Sequence, residues 1–112
     1  QTLWVADACN HRILRFDLDG TLLTEFGEMG KGLGQLRYPY DIDVDADGNV
    51  LVCEFGNCRV QWFDVTGKSL KVWGSPGREI GQLNSPWGAV TGADGRVYIL
   101  DSLNARVKVI QP

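Results

Sequence analysis

The chain repeats itself, and the repeat limits what it can fold into more than any other feature does. Val5-Ala6-Asp7 returns as Val52-Cys53-Glu54 and again as Ile99-Leu100-Asp101. Asn10-His11-Arg12 returns as Asn57-Cys58-Arg59 and as Asn104-Ala105-Arg106. Phe16-Asp17 returns as Phe63-Asp64, Gly34-Gln35-Leu36 as Gly81-Gln82-Leu83, Pro39 as Pro86, and Asp47-Gly48 as Asp94-Gly95. Every offset is 47 or 94 residues without a gap, and 16 of 47 positions are identical between 3–49 and 50–96. Self-similarity of this period marks an array of one supersecondary unit that cannot bury its apolar surface alone.

Each unit reads as four short strands. In the middle copy, Ile42 and Val44 alternate with Asp41, Asp43 and Asp45, the period-two pattern of a first strand. Ala46-Asp47-Gly48-Asn49 is a hairpin turn in which Asp-Gly supplies the positive φ angles. Val50 to Cys53 form a second strand, Phe55-Gly56-Asn57 a turn, Arg59 to Phe63 a third strand, Thr66-Gly67 a turn, and Ser69 to Trp73 a fourth. A Gly-rich connector, Gly74 to Ser85, leads to Pro86 and the next first strand. No stretch has helical periodicity. Four antiparallel strands per repeat of this length predict an all-β fold of β-propeller blades. The copies divide the chain into a first blade at 1–27 (strands two to four), a complete second blade at 39–74, and a third at 86–112 (strands one to three). That makes ten strands, an incomplete ring.

The repeated residues also resemble a known family. Gly-Gln-Leu-x-x-Pro, a short strand, Asp-Gly-Asn-Val-Leu-Val, then Asn-x-Arg-Val/Ile and Phe-Asp resemble the NHL repeat over essentially the whole chain. The resemblance implies a propeller of six blades in most members. It also implies diverse roles: protein interaction, RNA binding in some animal members, extracytoplasmic sensing in bacteria, and a zinc-dependent amidating lyase. By resemblance alone, an extracytoplasmic or secreted location is favoured. A fold shared by so many activities does not name one.

Composition removes some classes. The net charge is -3, which argues against a domain built to grip phosphate backbones. Lys31, Arg37, Lys71 and Arg78 are scattered along the sequence and do not form a basic stripe. No apolar run approaches the roughly 18 residues of a membrane span. Cys9, Cys53 and Cys58 are an odd count, not a disulfide framework, although Cys53 and Cys58 could face each other across a hairpin. The chain opens on Gln1-Thr2 and at once enters an apolar run, as a piece of a longer or processed polypeptide would.

Most residue types that carry chemistry recur in register, and recurrence favours a structural role, because active sites break repeat symmetry. Asp7/Arg12, Glu54/Arg59 and Asp101/Arg106 recur at spacing five across a turn, and are read as cross-strand ion pairs. Asp43-x-Asp45-x-Asp47-Gly48 with Glu54 satisfies a calcium-loop spacing, with Asp43, Asp45, Asp47 and Glu54 as ligands. The same segment is strand, hairpin and strand in the repeat frame, without flanking helices, so no metal or other cofactor is assigned. Gly30-x-Gly32-x-Gly34 falls in a connector and is a flexible loop, not a phosphate cradle. His11 is the only histidine, too few for the histidine zinc site of the lyase that the family includes.

Four residues remain as ligand-facing candidates: Tyr40, Asp41, Asp43 and Trp87. Asp41 and Asp43 lie on the first strand, which lines a propeller channel, and their equivalents are Gly88 and Val90. Acids there could take a cation or a basic ligand, or could simply be solvated or paired with an arginine. Trp87 and its copy Tyr40 follow proline near the channel entrance. Phe16, Phe26, Phe63 and Trp73 are expected to fill the space between blades, with Trp4 and Trp62 less regular.

A blade is apolar on both faces and needs a neighbour on each. The expected partner is therefore a second copy, two chains making a six-bladed-like ring, or the remaining blades of a longer chain. The leading functional expectation is a non-catalytic scaffold that binds a protein or peptide on its loop face. The alternative is a fragment of a lyase or lactonase-like propeller enzyme whose metal site is completed elsewhere. RNA binding ranks third.

Overall fold

Alternating apolar residues and Asp-Gly or Asn-containing turns divide the chain into ten strands, β1 (Thr2–Asp7), β2 (Arg12–Asp17), β3 (Leu22–Phe26), β4 (Pro39–Val44), β5 (Val50–Glu54), β6 (Arg59–Phe63), β7 (Ser69–Trp73), β8 (Gly88–Thr91), β9 (Val97–Asp101) and β10 (Arg106–Ile110). The structure, a computed structural model, describes residues 1–112. The only helical turns are short 3-10 segments at Ala8–Asn10 and Ser102–Asn104.

The strands form three antiparallel meanders, β1-β2-β3, β4-β5-β6-β7 and β8-β9-β10. Hairpin register puts each acid of the repeat opposite its arginine: Asp7 against Arg12, Glu54 against Arg59, Asp101 against Arg106. A bulge recurs at equivalent places, between Arg15 and Phe16 and between Trp62 and Phe63. It adds twist where the third strand meets the fourth. The sheets stand side by side in a body of 42 × 31 × 21 Å. The shortest dimension is about the length of a five-residue strand. The ring is not closed.

Two cores lie in the two seams. Between the first and second blades, Ile13, Leu36, Val50, Val52 and Phe63 are fully buried, and Trp4, Ala6, Phe26 and Ile42 pack against them. Between the second and third, Leu51, Cys53, Val60, Trp62, Leu83, Ala89, Val97 and Ile99 do the same, with Cys58, Trp73 and Ile110 at the margin. Successive residues of β5 and β6 therefore serve opposite seams, and both strands are buried throughout. Leu36 and Leu83, from the two Gly-Gln-Leu motifs, plug one seam each at zero exposure.

The connectors are folded back to deliver those leucines. Gly30 N–H donates to Leu36 O and Leu36 N–H to Glu28 O; Gly77 and Leu83 repeat the pattern. The Gln35 Oε1 accepts from Gly32 N–H at 2.9 Å, and the Gln82 Oε1 from Glu79 N–H at 3.1 Å. A Cβ on Gly30 or Gly77 would run into those amides. This is why the Gly-Gln-Leu motif carries an earlier glycine.

The outer blades keep one bare face. Val107, Val109 and Leu100 are 60%, 50% and 48% exposed, while their equivalents Val60, Trp62 and Cys53 are nearly or fully buried. Leu3 is 56% exposed where its equivalent Val50 is sealed. Phe16, expected in a seam, belongs to neither core because it lies on the outward face of the first blade. Phe26 and Phe63 meet at 4.8 Å between ring centres. Phe63→Ala is expected to destabilise the chain by about 3–5 kcal/mol, and Phe16→Ala by much less. Urea unfolding midpoints measure both.

Candidate functional site

The conserved geometry of the repeat is a charged clasp on the connector side of each blade. Arg59 Nε donates to Glu54 Oε2 at 2.7 Å. Its Nη1 reaches Lys31 O at 2.9 Å, and its Nη2 reaches Gly32 O at 3.0 Å and Gln35 O at 2.9 Å. Asn57 Nδ2 binds Glu54 Oε1 and Gly30 O. One arginine and one asparagine thus tie a turn to the connector that precedes its blade. The third blade repeats this: Arg106 binds Asp101, Glu79 O and Gln82 O, while Asn104 binds Asp101 and Gly77 O.

The first blade makes only the local half of the clasp. Arg12 Nε donates to Asp7 Oδ2 at 2.8 Å, Asn10 binds the same carboxylate, and Arg12 Nη1 turns to Glu25 instead of to connector carbonyls. The three pairs accordingly differ in burial. Glu54 and Asp101 are sealed, whereas the Asp7 side chain is a quarter exposed. Buried Gln61 links the clasp to the next layer: its Nε2 donates to Glu54 and Gln35 O, and its Oε1 accepts from Gly34 N–H and the Ser69 hydroxyl. Sequence reasoning found the ion pairs and missed their tertiary partners. The recurrence of Asn10, Asn57 and Asn104 was the available signal.

Asp41 and Asp43 hold two blades together instead of being turned to a ligand. Ala89 N–H donates to Asp41 Oδ2 at 3.1 Å, and Thr91 N–H to Asp43 Oδ2 at 2.7 Å. These are edge donors of β8, satisfied across the seam by carboxylates of β4. The calcium-loop spacing is likewise dispersed. Asp45 Oδ1 accepts from Asp47 and Asn49 N–H in its own turn, Glu54 is in its clasp, and no three His, Cys, Asp or Glu side chains gather to hold a metal ion.

The residues left over by the repeat also have seam roles. His11 and Cys58 occupy equivalent left-handed positions, φ 54° and 51°, and face equivalent left-handed residues Tyr38 and Ser85. His11 Nδ1 accepts from Tyr38 N–H at 3.0 Å, and Cys58 Sγ from Ser85 N–H at 3.4 Å. All three cysteines are free. Burial first, then the charges of Asp41 and Glu54, push the Cys53 thiol far up, so it stays protonated and unreactive.

Tyr40 and Trp87 are at the surface, 45% and 60% exposed. Tyr40 stacks on Phe55 at 4.6 Å and meets Trp87 edge-on at 6.4 Å. Phe55 was missed by the sequence because its equivalents are Ala8 and Ser102. Beside this trio, a cavity of about 380 Å³ opens between Lys31, Arg37, Asn57 and Arg59. A larger one, about 610 Å³, lies between the second and third blades near the Asp45 and Gly92 turns, with Trp62, Lys71 and Thr91 in its wall.

The NHL repeat model matches residues 36–63 and 83–110, half of the chain. The chain belongs to the NHL repeat family. A 51-residue stretch is 45% identical to Protein brain tumor of Drosophila melanogaster, covering 45% of this chain and 5% of that protein. An auxiliary nutrient binding protein from Bacteroides thetaiotaomicron is similar in structure, with a TM-score of 0.72 at 17% identity over 96% of this chain and 34% of its own. A catalytically inactive virginiamycin B lyase from Staphylococcus aureus, solved with quinupristin, has a TM-score of 0.70 at 16% identity over 99% of this chain and 38% of its own. At those identities the likeness is one of fold. The NHL chain spans a small part of the curated relative and about a third of these two structures.

Two outcomes follow from the clasps. Removing the carboxylate of the buried pair with Glu54→Ala strands Arg59 and is expected to cost about 3–5 kcal/mol. Asp7→Ala should leave the urea midpoint close to wild type. At Asp101, burial pushes the carboxyl up, but hydrogen bonds from Asn84 N–H, Asn104 and Arg106 outweigh it and hold it below the ordinary value. A carboxyl lowered on folding contributes stability that is full above its unfolded value, about 4, and is lost as pH falls through the folded one. Stability should therefore drop on acidification below about pH 4, and Asp101→Asn should flatten that limb in urea titrations at stepped pH.

Proposed function

We propose that this NHL chain is a non-catalytic interaction scaffold. Its ring is completed by further blades, from a second copy or from flanking repeats, and its connector face binds a protein or peptide. The observation that carries the reading is the Tyr40–Phe55–Trp87 cluster, in which Tyr40 and Trp87 are exposed and Phe55 is half-buried beneath Tyr40. The clasps, the Asp41 and Asp43 bridges and His11 are all engaged within the fold. The exposed rings of Tyr40 and Trp87 have no such task, and rigid aromatics are efficient anchors for a partner.

Ring completion rests on the bare ends. The first blade presents Leu3, and the third presents Leu100, Val107 and Val109, at positions that are buried in the middle blade. The two surfaces are unlike, so copies would join head to tail, a heterologous contact that closes when the rotation allows. The scaffold reading is preferred to a lyase fragment because the lyase likeness is one of fold and the one histidine of this chain accepts a backbone hydrogen bond.

Light scattering on the eluting chain should give twice the 12.4 kDa of one copy; a well-folded monomer would overturn the two-copy ring. Peptides selected against the chain from a display library should bind at least about tenfold more weakly to Trp87→Ala or Tyr40→Ala. Selected peptides indifferent to both changes would overturn the binding face.

A further inference from the structure

We propose that the partner on the connector face is an acidic peptide. Its carboxylate seats between Lys31 and Arg37, and a neighbouring apolar side chain lies on Tyr40, Phe55 and Trp87. This rests on the peptide-binding reading above and specifies its chemistry.

The cavity beside the aromatic trio is bounded by the first connector (Lys31 and Arg37), the turn of the middle blade (Gly56 and Asn57), Arg59, and the start of the second connector at Ser75. None of its lining residues is acidic. Arg59 is already consumed by Glu54 and three carbonyls. Lys31 and Arg37 make no ion pair at all. Arg37 Nε is shut off from solvent without an acceptor, a costly arrangement for a charged donor. Two uncompensated cations therefore share one concave site in a chain of net charge -3.

This site breaks the repeat. Gly56 lets Arg37 lie across the turn, because a Cβ there would run into Arg37 Cγ and come within 2.9 Å of Arg37 O. One repeat later, Gly56 is replaced by Leu103 and Arg37 by Asn84, whose N–H is bound to Asp101. The cation pair and its supporting glycine thus occur at one seam only.

The same backbone joins the cavity to the aromatics. Phe55 N–H donates to Tyr38 O at 3.0 Å and Gly56 N–H to Arg37 O at 2.9 Å. Phe55 then stacks on Tyr40. The backbone that lines the cavity at Gly56 thus runs directly into Phe55 of the aromatic stack, so a single extended peptide crossing this turn can address both. A guanidinium and an ammonium lining one cavity suit a carboxylate. A polynucleotide brings a line of phosphates and needs a line of cations. Here Glu28 and Glu79 stand on the same connectors as Lys31 and Arg78.

The test is fluorescence polarisation on the purified chain in its assembled state. The probe is a blocked, labelled peptide of two glutamates and a phenylalanine. Versions with the glutamates replaced by alanine, the glutamates replaced by lysine, and the phenylalanine replaced by alanine are compared with it. Arg37→Gln and, separately, the exposed Lys31→Ala are expected to weaken the glutamate peptide about tenfold, with thermal midpoints near wild type. The double reversal Lys31→Glu, Arg37→Glu should transfer preference to the lysine peptide. If the alanine-for-glutamate version binds as well as the parent, the anion site is overturned while peptide binding on the aromatics stands. If no version binds and Trp87→Ala changes nothing, the peptide-binding reading falls first. Tighter binding of a six-nucleotide uridine oligomer at physiological salt would overturn the peptide as partner.

Discussion

The arginine clasp joins three parts of the fold that are far apart in sequence. Arg59 meets Glu54 across its own hairpin and then reaches back to carbonyls 24 to 28 residues earlier. It thereby fixes the turn, the connector and the position of Leu36 in the seam. A buried carboxylate with a single partner would be expensive. Glu54 has Arg59, Asn57 and Gln61, so its charge is satisfied from three sides. Without the clasp, the connector would lose the anchor that holds its leucine plug against the apolar sheet faces.

The first blade shows what the clasp needs. Its acid, asparagine and arginine make the local contacts, and Arg12 donates as well to Glu25. The repeated residues are identical in type, and their energetics differ because burial differs. The same contrast separates β5 and β6, buried throughout, from β10, where half-buried and exposed residues alternate. A blade is complete in sequence before it is complete in energy, because each face takes its apolar cover from a neighbour.

Against this uniform background, departures from the repeat stand out. Asp41 and Asp43 have no counterparts in the next copy, and they serve the one seam where two first strands meet. His11 and Cys58 look unrelated, yet both accept a backbone N–H at a strained left-handed junction. Arg37, Gly56 and Phe55 also depart from the pattern, and they converge on one concave patch of the connector face. That patch lacks an internal partner, which is why it carries the functional reading.

Three repeat units, the strand boundaries to within a residue or two, and the pairing of each acid with its arginine were all legible in the amino-acid sequence. These follow from short-range geometry: side chains alternate with period two, and a tight turn sets which residues of a hairpin lie opposite each other. Periodicity also singled out Tyr40 and Trp87, which meet at the surface. Packing in three dimensions is what turns Asp41 and Asp43 to the neighbouring blade, leaves Phe16 outside both cores, and brings Phe55 to the aromatic pair. Lys31 and Arg37, scattered in the sequence, share a cavity only once the connector folds onto the middle blade. Those outcomes depend on contacts between different strands and connectors, up to 48 positions apart for Asp41 and Asp43, and local periodicity carries no record of which side chain will be waiting there.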